Sequence, residues 1–278
     1  MIIPDSLFEL ALWDSLPVTE RQHAADIVAS QLPAPWKLLG LETHSLGEAS
    51  HELAFFDCEG AKFALVPGSK SATLGYDRKR NWRPSEEYLS DLEEFEKGYY
   101  PLRSYLNWTN SRLRTREILP LLVEVTYQEF EQGIEGTEEL ERLAERFPYQ
   151  KRMERHIAPF RLVSSDEWEY VCAAGTRTLF RWGDELPPAS CTWPGAEKSW
   201  TLHRQPNAFG LLMISDTYKY EQCRGGRIRG GDGGCTVCGS YSDVTNWLPL
   251  ASSALLPKSE HEDWDDEGLM RRVWPLVK

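Results

Sequence analysis

The sequence predicts an α+β protein, loop-rich in its second half, with an N-terminal helical extension. Three observations predict it. Residues 1–34 carry apolar side chains at helical spacing, and residues 36–67 read as a strand hairpin. After Gly175 the chain reads as loops and short strands. We expect two parts, an extension over 1–60 and a main domain over 61–278.

The first sixty residues contain two kinds of pattern. A helix is predicted up to Pro33, because proline cannot continue the hydrogen-bond ladder of a helix. Apolar residues at 53–56 precede the turn Glu59-Gly60, and a second apolar run follows at 63–66. That arrangement is typical of a β-hairpin.

The main domain alternates short helices and strands. Ser164 and Glu167 fit a capping box, so a helix is expected to begin there and run to about Ala174. Glu167, Trp168 and Glu169 are expected to be structural, as are Trp182 and Asp184. The other predicted elements are a helix at 85–97, a strand at 119–125, a helix starting at 126–130, a helix at 137–146, strands at 160–163 and 273–277, and an acidic loop at 258–267.

The composition restricts the class of protein. The chain has 278 residues, 41% of them hydrophobic, and a formal net charge of −12. These values are typical of a globular protein and argue against nucleic-acid binding. No apolar run approaches the roughly 18 residues of a membrane span, and the N-terminus lacks the pattern of a signal peptide. We therefore expect no membrane partner and a cytoplasmic location, where cysteines are thiols or metal ligands.

The richest segment for chemistry is the glycine-rich run that ends in Cys235-Thr236-Val237-Cys238. Two thiols at this spacing can bind a soft metal, can cycle between dithiol and disulfide, or can be incidental. A tetrahedral zinc site from Cys223, Cys235, Cys238 and His203 is a further alternative. Cys58, Cys172 and Cys191 are expected to be buried thiols. The sequence pattern alone leaves these alternatives open.

Motifs in a fixed order resemble the formylglycine-generating enzyme family, also called sulfatase-modifying factors. The central family motif reads R-L-P-T-E-x-E-W-E-Y-A-A-R-G and is followed by F-x-W-G-D. The matching segments are Phe63–Gly68, Val123–Phe130, Phe160–Tyr170, Phe180–Glu185, Pro206–Leu211 and Arg227–Gly231. They follow one another in the family order within residues 62–278, and residues 1–60 lie outside the resemblance.

The resemblance implies a fold and an activity. Members have a C-type-lectin-like, loop-rich fold, often with calcium, and use two cysteines to hold Cu(I). They activate O2 and oxidise a substrate cysteine to formylglycine. Cys235 lies four residues after Gly231, as the first family cysteine does. Ser240 occupies the place of the second, and Cys238 supplies a thiol three residues after Cys235 instead.

Departures from the family pattern modify that expectation. The segment that supports calcium lacks its asparagine at 215–221, and the A-A-R-S segment appears as Leu250–Ser253 without its arginine. The resemblance thus implies a copper-dependent, O2-using oxidoreductase that acts on a different thiol-containing peptide or small molecule.

Cys235 and Cys238 are the candidate catalytic and metal-binding residues. Ser240, Trp247 and Ser252 are the candidate substrate-binding residues. The alternative is a non-catalytic lectin-like binding module with a zinc ion or a disulfide at the cysteine pair.

Overall fold

A computed structural model describes residues 2–129, 157–195, 199–239, 241–255 and 269–277. Seven α-helices and twelve strands lie in these ranges, which confirms the mixed α+β class. Ser240, the helix predicted at 137–146 and the acidic loop predicted at 258–267 lie outside the described residues. No helix in the described ranges is both long enough and apolar enough to cross a bilayer.

The helices are short apart from the second. They are α1 (Leu10–Ser15), α2 (Val18–Gln31), α3 (Leu89–Gly98), α4 (Leu102–Thr109), α5 (Ser165–Ala173), α6 (Cys235–Cys238) and α7 (Asp243–Trp247). Single 3-10 turns occur at Asp5–Phe8, Glu86–Tyr88, Leu202–Arg204 and Leu248–Leu250. The predictions of N-terminal helices and of a helix near 85–97 are confirmed.

Three sheets organise the strands. The strands are β1 (Lys37–Leu46), β2 (Ala49–Cys58), β3 (Ala61–Val66), β4 (Ser69–Leu74), β5 (Arg114–Ile118), β6 (Leu121–Glu124), β7 (Gln128–Glu129), β8 (Arg161–Leu162), β9 (Glu221–Cys223), β10 (Arg227–Arg229), β11 (Leu269–Met270) and β12 (Arg272–Pro275). One antiparallel sheet has the order β1-β2-β3-β6-β12-β8. A second has the order β10-β9-β11-β7, and β4 pairs with β5.

The six-stranded sheet contains strands from both the predicted extension and the main domain. The boundary expected at residue 60 falls in the turn between β2 and β3, where Phe56 faces Phe63 across the pair. Trp13 of α1 is fully buried, and its indole N–H donates to the carbonyl of Glu52 at 2.8 Å. The first core therefore includes apolar side chains from both sides of the expected boundary.

One local prediction is wrong. The sequence predicts the start of a short helix over Thr126–Phe130. Instead Gln128 and Glu129 form strand β7, which pairs with Leu269 and Met270 of β11. The partner strand lies about 140 residues away in the chain, and such long-range pairing overrides a weak local preference for helix.

The capping box and the acidic residues beside it have the structural roles expected of them. The Ser164 hydroxyl accepts from the Glu167 N–H, and the Glu167 carboxylate accepts from the Ser164 N–H at 2.8 Å. Glu169, two residues after Glu167, is 2% exposed and accepts from Ser111 at 2.7 Å and from Arg114 and Arg229 at 2.9 Å each. Because Arg229 ends strand β10, this buried network fixes the strand that leads to the cysteine pair.

Trp182 and Asp184 stabilise a turn in the second core. The ring of Trp182 stacks on that of Phe180 with centroids 4.6 Å apart. Asp184 accepts from the Leu179 N–H at 2.7 Å and forms an ion pair with Arg80. These contacts give both residues the structural role that the sequence predicted.

Candidate thiol site

The backbone before the cysteines passes very close to a neighbouring segment. A Cβ placed on Gly231 would lie 1.7 Å from the carbonyl oxygen of Lys219. Any side chain there would collide with main-chain atoms, so only glycine allows this approach. The N–H groups of Asp232 and Gly234 both donate to the carbonyl of Thr217, at 3.0 and 3.1 Å. The loop is thus held on the 217–219 segment.

Asp232 organises the turn that presents the thiols. Its carboxylate is 2% exposed and accepts from the N–H of Gly234 at 2.9 Å and of Thr236 at 3.0 Å. Burial raises the pKa of this carboxyl, while the bonds from Thr236 and Gly234 oppose the rise. Gly234 then adopts a φ of +82°, which aims the chain into the short helix.

Cys235 and Cys238 are the first and last residues of helix α6, and both are exposed. Helix positions three apart lie on the same face, with Cβ atoms about 5–6 Å apart. The Cys238 N–H donates to Gly234, and the Gly239 N–H donates to Cys235, so the turn is hydrogen-bonded at both ends. Neither cysteine is joined in a disulfide, and both thiols can be reached from solvent.

A tyrosine hydroxyl lies against one of the sulfurs. The Tyr218 hydroxyl is 3.2 Å from Cys238 Sγ, and the ring is 41% exposed. The hydrogen bond to Cys238 is the largest cause of a raised Tyr218 pKa, and desolvation adds to it. Nothing in the cysteine motif indicates this residue, since it lies twenty positions earlier and is brought in by the loop.

Aromatic rings flank the thiols on two sides. The Tyr218 ring covers Gly234, where an added Cβ would lie 2.2 Å from the ring, and packs edge-on to Trp193 at 5.4 Å. The Tyr241 ring covers Gly239 in the same way and packs on Tyr99 at 4.9 Å. Each glycine next to α6 therefore seats one exposed aromatic side chain.

The four residues of the zinc alternative lie in different environments. Cys223 and His203 are both 0% exposed, whereas Cys235 and Cys238 are exposed. His203 stacks on Trp200 with centroids 5.2 Å apart. In the part of the chain that the structure describes, no three His, Cys, Asp or Glu side chains are arranged to hold a metal ion. The described residues therefore offer a pair of thiols and not a tetrahedral set.

The remaining cysteines are buried, as predicted. Cys58, Cys172 and Cys191 are 5%, 0% and 1% exposed. Burial raises the pKa of the Cys172 thiol to about 11 and also raises that of Cys58. Such thiols are poor nucleophiles and poor metal ligands, because the thiolate is the reactive form.

Two of the predicted substrate-binding residues are also buried. Trp247 is 0% exposed, and its indole N–H donates to the carbonyl of Cys191 at 3.1 Å. Ser252 is 5% exposed, and its N–H donates to the carbonyl of Leu179. Ser240, the third, lies outside the described residues. The exposed side chains beside the thiols are Tyr218 and Tyr241, so a substrate-binding role for the three predicted residues remains a prediction.

No protein-family model matches the chain, and no curated protein matches it. The resemblance to formylglycine-generating enzymes therefore rests on the sequence motifs alone.

Proposed function

We propose that Cys235 and Cys238 bind Cu(I), and that the protein is an O2-using oxidoreductase acting on a thiol-containing peptide or small molecule. The observation that carries the proposal is the pair of exposed thiols on one hydrogen-bonded helical turn. Cu(I) prefers soft sulfur donors, so the donor set fits this ion. The motif resemblance, with Cys235 four residues after Gly231, supplies the link to O2 chemistry.

The side chains of the site have separable tasks in this proposal. Cys235 and Cys238 hold the ion, and their exposure leaves room for the sulfur of a substrate. The Tyr218 hydroxyl lies within hydrogen-bond distance of Cys238 Sγ, at 3.2 Å, and so helps to hold that sulfur in place. Asp232 keeps the turn in place through its two backbone contacts. Bound copper would supply the capacity to bind and activate O2.

The overall reaction balances with an external thiol reductant. A substrate thiol loses two electrons at the carbon beside sulfur, and its C–S bond is replaced by a carbonyl. Two further electrons and two protons come from the reductant. One O2 is consumed, and the products are an aldehyde, one hydrogen sulfide and one water. The departures from the family motifs favour a substrate other than a sulfatase.

An anaerobic Cu(I) titration against a competing chelator tests the metal half of the proposal. The native chain should withdraw Cu(I) from the chelator, and Cys235→Ser and Cys238→Ser should not. Cys58→Ala is the matched control, because it removes a buried thiol from the first core. Equal competition by native and Cys235→Ser protein would contradict copper binding at the pair.

A second candidate is a non-catalytic binding module. The observation that favours it is the exposure of Tyr218 and Tyr241 beside the pair, since exposed aromatic side chains are typical of binding surfaces. Metal analysis of protein purified without added metal, followed by O2 uptake with a thiol reductant, separates the candidates. Copper with uptake supports the oxidoreductase. Zinc without O2 uptake supports a structural metal site. The absence of both metal and O2 uptake supports the binding module.

A further inference from the structure

An open groove of about 590 Å³ lies along the outer face of helix α4. Ser104, Asn107 and Trp108 line it, and their i, i+3, i+4 spacing places them on one face of the helix. Small-molecule sites usually have volumes of roughly 300–1,000 Å³, so the groove has room for a ligand of that size. None of the residues that line it belongs to the thiol site, and the inference below does not rest on the proposed oxidase function.

Two arginines bring positive charge to this groove. Arg78 donates to the backbone carbonyl of Asn107 at 2.7 Å, which places its guanidinium beside α4. Arg112 lines the groove just beyond the helix and is exposed. Within the described ranges, neither forms an ion pair with a carboxylate. Because a guanidinium has five donors, both keep most of them available to a ligand.

Four arginines nearby in the sequence are different, because each is paired with an acidic side chain, as Arg80–Asp184, Arg83–Glu96, Arg114–Asp166 and Arg116–Asp166. Arg103 of α4 instead donates to the carbonyl of Arg78 at 3.3 Å. The chain carries a formal charge of −12, so acidic partners are plentiful. Unpaired guanidiniums that converge on one groove of an acidic protein indicate a site for an anion.

An aromatic ring completes the groove. Trp108 is 55% exposed, although it lies on the polar face of a helix whose other face is buried. Its ring touches Tyr105 only edge-on, with centroids 6.3 Å apart. An exposed indole offers a flat surface on which another ring can stack. The groove therefore combines positive charge with an aromatic surface on which a ligand ring can stack.

We propose that this groove binds a phosphate monoester attached to a flat aromatic ring, the chemistry of a nucleoside monophosphate. The guanidiniums of Arg78 and Arg112 match phosphate oxygens, which they can contact in bidentate fashion. The indole of Trp108 stacks on the ring. Asn107, which also lines the groove, has a buried side-chain oxygen with no hydrogen-bond partner in the described part of the chain.

Calorimetric titration of the full chain with AMP, adenosine and inorganic phosphate tests this proposal. AMP should bind about tenfold more tightly than phosphate, because stacking adds to the charge contacts. Arg112→Gln should weaken both AMP and phosphate about tenfold. Trp108→Ala should weaken AMP by a similar factor and leave phosphate binding unchanged. Both replaced side chains are exposed, so the fold should persist, as circular dichroism will show.

Two control variants replace the same kinds of side chain at exposed positions outside the groove. Arg227→Gln removes an exposed arginine on β10, and Tyr100→Ala removes an exposed aromatic ring outside the groove. Neither should change AMP binding. The proposal is overturned if AMP does not bind at millimolar concentration, if AMP and phosphate bind equally, or if Arg227→Gln has the same effect as Arg112→Gln. Displacement of AMP by an acidic peptide at lower concentration than by phosphate would also overturn it, in favour of a peptide site.

Discussion

The hydroxyl of Tyr218 lies 3.2 Å from the sulfur of Cys238, with the tyrosine ring seated on Gly234 directly before the cysteine helix. The two residues are twenty positions apart in the chain. They meet because Gly231 lets the loop lie on the main chain at 217–219. The contact therefore depends on the glycines as much as on the two side chains that form it.

Thiol reactivity should separate the six cysteines into two classes. In the reduced, metal-free protein, a chromogenic disulfide reagent should modify two thiols rapidly, Cys235 and Cys238, because the other four are buried. All six should react after denaturation. Cys235→Ser and Cys238→Ser should each reduce the number of rapidly modified thiols by one. A rapid class of three or more in native protein would contradict the burial of the remaining thiols.

Tyr218→Phe should weaken Cu(I) binding by less than tenfold, because it removes one solvent-exposed contact with the Cys238 sulfur and neither of the two thiol ligands. The phenylalanine ring keeps its place on Gly234, so the turn should persist. Cys238→Ser, which removes a ligand, should have a far larger effect. The competition titration measures both variants. Loss of binding in Tyr218→Phe equal to that in Cys238→Ser would show that the hydroxyl does more than support the thiol.

Gly234→Ala should destabilise the protein by about 1–2 kcal/mol, since a φ of +82° is costly for a residue with a Cβ. The new methyl group would also displace the Tyr218 ring and break its contact with Cys238. Gly98→Ala, at the end of α3, is the control. Apart from its chain neighbours and its own helix backbone, no atom of the described residues lies within 4 Å of a Cβ there, so the effect of this variant on stability should be neutral or slightly favourable. Urea denaturation of the two variants measures the difference.

Glu169→Gln should lower the free energy of unfolding by about 3–5 kcal/mol, because it leaves the buried guanidinium of Arg229 without its carboxylate. Glu93→Gln is the control. It removes an exposed i,i+4 pair with Lys97 and should cost less than about 0.5 kcal/mol. Similar unfolding midpoints for the two variants would contradict the role of Glu169 as the centre of the buried network.

The Arg161–Glu167 pair should make stability depend on pH. Burial opposes ionisation of Glu167, but the bonds from Arg161 and Ser164 outweigh it and hold the pKa below its usual range. The charged pair therefore stabilises the fold above the unfolded-state pKa of about 4.3, and this contribution is lost as the pH falls through the lower native pKa. Glu167→Gln keeps the capping geometry and removes the charge.

The stability difference between native protein and Glu167→Gln should consequently be largest near neutral pH and should shrink below about pH 4. Urea midpoints at pH 7, 5, 4 and 3 measure it. Glu94→Gln, on the exposed side of α3, is the control that shows how the loss of a surface carboxylate changes the pH dependence of stability. A difference that stays constant across this range would rule out the ion pair as its source.

Local patterns in the sequence determined several elements. The capping box at Ser164 and Glu167, the turn at Glu59-Gly60 and the helices before Pro33 follow from hydrogen bonds and backbone preferences that neighbouring residues settle among themselves. The cysteine pair was also visible, because its chemistry lies in four consecutive residues. The burial of Cys172 followed from its place on the apolar side of a capped helix.

Only the tertiary structure decided the rest. Strand β7 at Gln128 replaced a predicted helix because its partner is distant in the chain. Tyr218 became a neighbour of the thiols, while Trp247 was buried, because loop packing and not sequence distance sets which side chains meet. The groove at Arg78, Trp108 and Arg112 likewise joins a loop to a helix. The sequence determined which chemistry the chain can offer, and long-range packing decided where each group faces solvent.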